Sequence, residues 1–239
     1  MKPNWNTIKL SALIICISAA YGFSEIRNQK RGILATRVFF VGEENHYLTE
    51  DAVNKLLIQK IGNLPKVDKE EIVLNTVEFA VQAHDMVKNA QIFMSLDGQL
   101  NAKITQRNPI GRISGDYPYY LDDEGKKMPL SPNYAARVPL ISGQITDRGL
   151  QGAYLILQEV DHDPFLKVNV IGIRIAGEDD FSLLLRSQDF TVRIGSAAAL
   201  TEKFENFKAF YSKALQENSL THYRSVNLEF NRQVVCTKI

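Results

Sequence analysis

The sequence predicts an α+β protein: one apolar N-terminal helix, a small β-α-α-β-β domain, and then a mainly antiparallel β-domain with packed helices. Three observations carry this. Leu10 to Ser24 reads LSALIICISAAYGFS without a charge. Between Thr36 and Thr105, strand-like and helix-like periodicities follow one another in β-α-α-β-β order. Beyond Asn108-Pro109 the apolar runs are mostly short, and one long amphipathic stretch, Ala197 to Gln216, stands among them.

A helix crossing the ~30 Å hydrocarbon core takes about 20 mostly apolar residues, with roughly 17 as the lower limit. Counted from Ile8, the first segment reaches that limit if Lys9 snorkels to the surface. Trp5 and Tyr21 stand where interfacial aromatics belong. This gives a tail at 1–7, a transmembrane anchor at 8–24 and a linker at 25–34. A cleaved signal peptide is the other reading. Lys2 and Lys9 give its basic start, Leu10 to Ile17 its apolar core, and Ser18-Ala19-Ala20 its cleavage site. Basic residues flank both ends, so charge does not set the orientation. Ile15 before Cys16 argues against a lipoprotein signal. Both readings export the rest of the chain.

The basic linker from Arg27 to Gly32 leads into Thr36 to Val41, β-branched and aromatic, which reads as a strand ended by Gly42. Thr49 is an N-cap before Glu50-Asp51, with Val53, Leu56, Leu57 and Ile61 at helical spacing; Gly62 and Pro65 break that helix. A second helix starts near Asp68 and carries Ile72, Val73, Val77 and Ala80 on one side. Asp97-Gly98 between Val87–Leu96 and Leu100–Thr105 is a hairpin signal. The result is a three-stranded sheet with two helices on one face, spanning 35–107.

From 108 to 239 the pattern is strand-rich. Gly111 to Ser114, Tyr119 to Leu121 and Lys127 to Leu130 read as short strands, the last two joined by Asp122-Asp123-Glu124-Gly125. Leu150 to Val160 reads as a helix. Leu166 to Ile175, Phe181 to Arg186 and Phe190 to Ile194 read as strands. The helix from Ala197 to Gln216 shows Leu200, Phe204, Phe207, Phe210, Tyr211 and Leu215 on one face, a core stripe. Ser225 to Phe230 and Gln233 to Lys238 form a terminal hairpin around Asn231-Arg232.

Composition and spacing narrow the chemistry. The chain has 28 basic and 27 acidic residues, so it lacks the excess of Lys and Arg that nucleic-acid binding uses to neutralise phosphates. The two cysteines, Cys16 and Cys236, make no CxxC and no metal-ligand spacing; with Cys16 in a membrane they cannot pair. Asp161-His162-Asp163 has metal-ligating residue types, but neighbours in a strand alternate faces and cannot converge on one ion; it reads as a solvated turn. His84-Asp85 reads as a helix end. In Gly111-Arg112-Ile113-Ser114-Gly115 the serine stands one place late for a nucleophile elbow. No phosphate loop or dinucleotide fingerprint occurs. The expectation is no catalytic residue, no metal, no cofactor and no small-molecule substrate.

These residues together resemble a family. VFFVG, LTEDAVNKLL, the VDKEE helix start and KNAQIFMSLDGQLNAKITQRNPIGRI resemble a POTRA domain and its join to the next domain. YYLDDEGKKMPLS, with Tyr120, Leu121, Asp122 and Gly125, resembles the following hairpin of FtsQ/DivIB bacterial cell-division proteins. RVPLISG, TVRIG and the terminal VNLEFNRQVVCTK fit that family in order. The chain departs from it in a tail of a few residues and in Phe230-Asn231-Arg232-Gln233, where the family turn resembles Tyr-polar-polar-Gly. The resemblance implies a single-pass inner-membrane protein at the septum with an extracytoplasmic, periplasmic domain. It also implies FtsB-like and FtsL-like partners and a scaffold role without catalysis. A secreted β-rich enzyme and a POTRA-type envelope-assembly chaperone are the rival functions.

The terminal strand is the candidate site. Val234, Val235 and Cys236 are apolar and strand-forming, and an edge strand offers unpaired N–H and C=O groups to a partner. The residues equally fit an ordinary edge blunted by Lys238; the resemblance favours the first, since it implies an FtsB-like partner along this part of the β-domain. The expected contact residues are Phe230, Asn231, Arg232, Gln233, Val234, Val235, Cys236, Thr237 and Lys238, with Phe230 as aromatic anchor. Alternation puts Val234, Cys236 and Lys238 on one face and Val235 and Thr237 on the other, without saying which faces inward.

Overall fold

The computed structural model describes residues 5–29, 35–42, 45–61, 74–95, 97–230 and 233–239. The first helix, α1 (Trp5–Gln29), holds the stretch Ile8–Glu25, long and apolar enough to cross a membrane, with none of it buried in protein. It runs past Ser24 into the segment read as linker, where no Gly or Pro falls between Ser24 and Gln29 to stop it. The chain divides into two compact units, Met1–Gln106 and Arg107–Ile239.

Within the first unit, β1 (Ala35–Val41), α2 (Glu50–Ile61), α3 (Leu74–Gln82), β2 (Val87–Met94) and β3 (Gln99–Gln106) give the β-α-α-β-β order. The sheet runs β1-β3-β2, with β1 parallel and β2 antiparallel to β3. Thr49 Oγ1 accepts from the Ala52 N–H at 3.3 Å, and Glu50 and Asp51 favour the helix N-terminus. The expected helix start at Asp68, and the breakers Gly62 and Pro65, lie outside the described residues. Val53, Leu57, Val77 and Val81 from the helices bury against Val38, Ile92, Leu100 and Ile104 of the sheet. Gln106 is buried; its Oε1 accepts from the Tyr47 and Leu48 N–H groups and its Nε2 donates to the Leu48 carbonyl. That pins the segment leading into α2.

The second unit is one nine-stranded sheet. In chain order its elements are β4 (Pro109–Ile113), β5 (Tyr119–Asp122), β6 (Lys127–Met128), β7 (Leu140–Gly143), α4 (Asp147–His162), α5 (Pro164–Asn169), β8 (Val170–Gly177), β9 (Asp180–Leu185), β10 (Thr191–Gly195), α6 (Leu200–Gln216), β11 (Tyr223–Asn227) and β12 (Val235–Lys238). The spatial order is β12-β11-β10-β9-β8-β7-β4-β5-β6. Antiparallel pairs dominate; β4–β7, β7–β8 and β10–β11 are parallel. The last two are bridged by helices, as a parallel crossover demands.

Several boundaries differ from the sequence reading. Leu166 to Asn169 is helical rather than strand. Asp163 Oδ1 accepts from the Phe165 and Leu166 N–H groups at 2.9 and 3.0 Å, and Pro164 takes the first helical position, where its missing N–H costs nothing. β7 was not read as a strand: four residues behind Pro139 give too little periodicity. Thr146 caps α4 through Gly149 N, so the helix starts before Leu150. α6 begins at Leu200 instead of Ala197, because Ala199 is left-handed at φ 51°. Leu130 falls beyond β6, and β11 ends at Asn227, so Phe230 is not on a strand.

Register explains the core. Ile113, Ile141, Ile173, Leu183, Val192, Val226 and Cys236 are successive cross-strand partners, one residue from each of seven strands. Partners share a face, and all but Cys236 are fully buried beneath Ile156, Leu157, Phe204 and Phe207 of the helices. The neighbouring row, Ser142, Arg174, Ser182, Arg193, Asn227 and Val235, lies on the opposite face.

The free edge at β12

β11 follows a 3₁₀ turn, Leu220–His222, and is seated by Tyr223, whose ring meets Phe210 edge-on at 5.2 Å. Ser225, Val226 and Asn227 pair in parallel with Thr191, Val192 and Arg193 of β10, and the Leu228 N–H continues the ladder to the Arg193 carbonyl at 2.8 Å. β12 then pairs antiparallel to β11, with a bulge at Arg224. No described strand lies on its other side.

The Ile239 N–H donates to the His222 carbonyl at 3.0 Å. Main-chain groups alternate sides along a strand, so those of Val235 and Thr237 also face β11. Those of Cys236 and Lys238 point away from the sheet. The edge thus offers an incoming strand two donors and two acceptors in register.

Side chains divide the other way. Val234 and Cys236 pack on the domain core. Val235, 44 % exposed, and Thr237 lie on the outer face beside Asn227 and Ser225. Burial pushes the Cys236 thiol above its usual pKa, which keeps it protonated as a small apolar group. Phe230 is 46 % exposed and stands before the strand. Its approach is fixed by Glu229: Asn227 Oδ1 accepts from the Glu229 N–H at 2.8 Å, Asn227 Nδ2 donates to Oε2 at 3.0 Å, and Arg193 meets Oε1 at 3.3 Å. Gly195, at φ 62°, lies directly under Glu229; a Cβ there would sit 2.6 Å from Glu229 Cγ. Lys203 donates to the Ile194 and Ser196 carbonyls at 3.0 and 2.8 Å and holds the end of β10. Desolvation pushes its pKa down, against the pull of Asp179 and Glu229.

The structure therefore brings Val234 to Lys238 together as one edge and sets Phe230 at its entrance. Asn231 and Arg232 lie outside the described residues; Gln233 is exposed just before β12. Arg193, Ser225 and Asn227 belong to the same surface and had no sequence signal, since only the parallel register of β10 and β11 puts them there.

His84, Ser114, Asp161, His162 and Asp163, singled out in the sequence, have structural partners. His162 Nδ1 lies 2.7 Å from the Gln158 carbonyl, Asp161 pairs with Lys167 at 2.7 Å, and Asp163 caps α5 and binds Lys208 at 2.6 Å. The Ser114 hydroxyl donates to the Ile141 carbonyl at 2.7 Å. His84 Nδ1 accepts from the Met86 N–H at 3.2 Å in the turn after α3. Among the described residues no group of three or more His, Cys, Asp or Glu side chains could hold a metal ion.

The sequence model of the family described as "FtsQ/DivIB, C-terminal related" matches residues 108–237. The match covers all of β4 to β11 and β12 as far as Thr237. No curated protein matches the chain.

Proposed function

The chain belongs to the FtsQ/DivIB C-terminal-related family of cell-division proteins, and from that premise we propose that it is a non-enzymatic divisome scaffold. It holds FtsB- and FtsL-like partners outside the cytoplasm during septum formation. In this reading residues 8–24 stay on the mature chain as a single-pass inner-membrane anchor. The tail 1–7 is cytoplasmic, and the domains 35–107 and 108–239 are periplasmic. The apolar helix Ile8–Glu25 supports the anchor.

The observation that carries the proposal is the unpaired outer edge of β12, with Cys236 and Lys238 presenting main-chain groups away from β11. Partner binding then works by strand addition. Backbone hydrogen bonds set the register, and side chains on the two faces set the choice of partner. Phe230 serves as the aromatic anchor beside the edge. Recruitment depends on binding free energy alone; no bond is made or broken.

Deleting Val235–Ile239 tests it. β12 touches the rest of the protein through one strand pairing and a half-buried face, so its loss leaves the sheet from β11 onward in place. The truncated chain is expected to stay folded and to lose its FtsB-like partner in a membrane pull-down. Retention of that partner at undiminished affinity by the folded truncation places the interface elsewhere.

A further inference from the structure

A cavity of about 160 Å³ opens among the start of β4, the segment before β7, the end of α4, α5 and the start of β8. No residue of β10, β11 or β12 lines it, so it is separate from the free edge. Its floor is apolar, including Ile110, Val138, Val160 and Ile171. Its rim is cationic: Arg137, Lys167 and Arg186 against a single carboxylate, Asp161.

Those charges are unevenly used. Lys167 neutralises Asp161 at 2.7 Å. Arg186 donates its Nε to the Val168 carbonyl at 3.0 Å, and among the described residues neither of its terminal nitrogens has a hydrogen bond or ion pair. Among the described residues no ion pair involves Arg137. Asp161, the one carboxylate of the lining, is thus taken by Lys167, and among the described residues two guanidinium groups border the apolar hollow without a partner carboxylate. A guanidinium fork matches a carboxylate through two parallel hydrogen bonds.

Size and lining select the occupant. Pockets for small molecules and cofactors run to about 300–1,000 Å³, so this one takes a side chain rather than a cofactor. A phosphate in the hollow would face Ile110, Val138 and Ile171, whose side chains donate no hydrogen bond. We propose that the cavity is a second docking site, for an acidic peptide segment: one aliphatic side chain fills the hollow, and flanking carboxylates bind Arg137 and Arg186. A partner engaged at β12 and here is held at two places, which raises its overall affinity when one linker spans both.

The test uses the full chain, methyl-labelled at Ile and Val, in phosphatidylcholine nanodiscs. Acetyl-Glu-Leu-Glu-amide is expected to give saturable shifts of the Ile110, Val138 and Ile171 methyls. Acetyl-Gln-Leu-Gln-amide should bind about tenfold or more weakly, as should the acidic peptide with the R137E/R186E chain. That variant should instead take acetyl-Lys-Leu-Lys-amide, and an unchanged Val235 methyl signal shows that its sheet is intact. Three results overturn the proposal: no saturable shift with the acidic peptide, equal binding of the neutral one, or shifts at these methyls from inorganic phosphate or phosphatidylglycerol vesicles alone.

Discussion

Asp163 ends α4 and starts α5, and its two carboxylate oxygens serve different elements. Oδ1 accepts from Phe165 and Leu166 N–H, while Oδ2 takes Lys208 Nζ from α6 at 2.6 Å. The Lys208 hydrogen bond holds the Asp163 pKa below the usual carboxylate value; burial opposes it, and the two N–H groups add to it. A lowered folded-state pKa gives stability that is fully present above the unfolded pKa, about 3.9, and is lost as pH falls through the lower folded value. Asp163→Asn keeps a capping oxygen and removes the charge. It should cost roughly 0.5 kcal/mol at pH 7, since the pair is partly exposed, and should flatten the acid limb of stability below about pH 4. Urea titrations of the full chain in neutral detergent at a series of pH values check both. Gly143 makes a different demand. It sits at φ 102°, and a Cβ there would overlap the Ile175 carbonyl oxygen of the adjacent strand. Gly143→Ala should lose more than about 2 kcal/mol in the same titration at pH 7. Neither role is written in residue type alone. Asp163 stands in an Asp-His-Asp run that the sequence reads as a solvated turn, and its capping role shows only once Pro164 to Asn169 is seen to be helical.

Among the elements, those closed by local contacts were legible. β2 and β3 are joined across Asp97-Gly98, and the Ser95 N–H bonds the Gln99 carbonyl at 3.0 Å; turn chemistry and period agree there. α2, with its Thr49 cap, and the aromatic stripe of α6 were legible for the same reason. β7 and α5 were not. A four-residue strand becomes a strand only because β4 and β8 flank it, and α5 depends on one cap. β12 lies between these cases: alternation fixed its two faces, while the inward choice came from β11's pairing with β10. That choice sharpens mutagenesis. The Lys238 N–H points to the open edge and its side chain is exposed. Lys238→Pro should therefore remove one outward donor while leaving the β11 ladder paired. Its melting temperature should stay close to that of the unaltered chain, and its affinity for an FtsB-like partner should fall by about tenfold, the loss of one hydrogen bond in the ladder. Val235→Pro removes an N–H that faces β11, so it should lower the melting temperature as well.

At the scale of the whole second unit, the sheet has two unlike ends. The β6 edge is two residues long, and short edges protect against unwanted pairing. The β12 edge is where the row from Ile113 through Val226 stops, on the half-buried thiol of Cys236. A row of core side chains ordinarily ends beneath a covering element; this one ends at an open ladder. An added strand would set its own inward residue next to Cys236 and lengthen the row by one. Complex formation then resembles a last increment of folding, and folding leaves a calorimetric mark. Removing apolar surface from water lowers the heat capacity. The enthalpy of partner binding, measured at several temperatures, should become steadily more exothermic on warming. The slope should shrink when the partner residue facing Cys236 is changed from an aliphatic to a serine. A temperature-independent enthalpy would mean that the partner meets only the polar rim of the edge, and that the row is left unfinished in the complex as it is in the free chain.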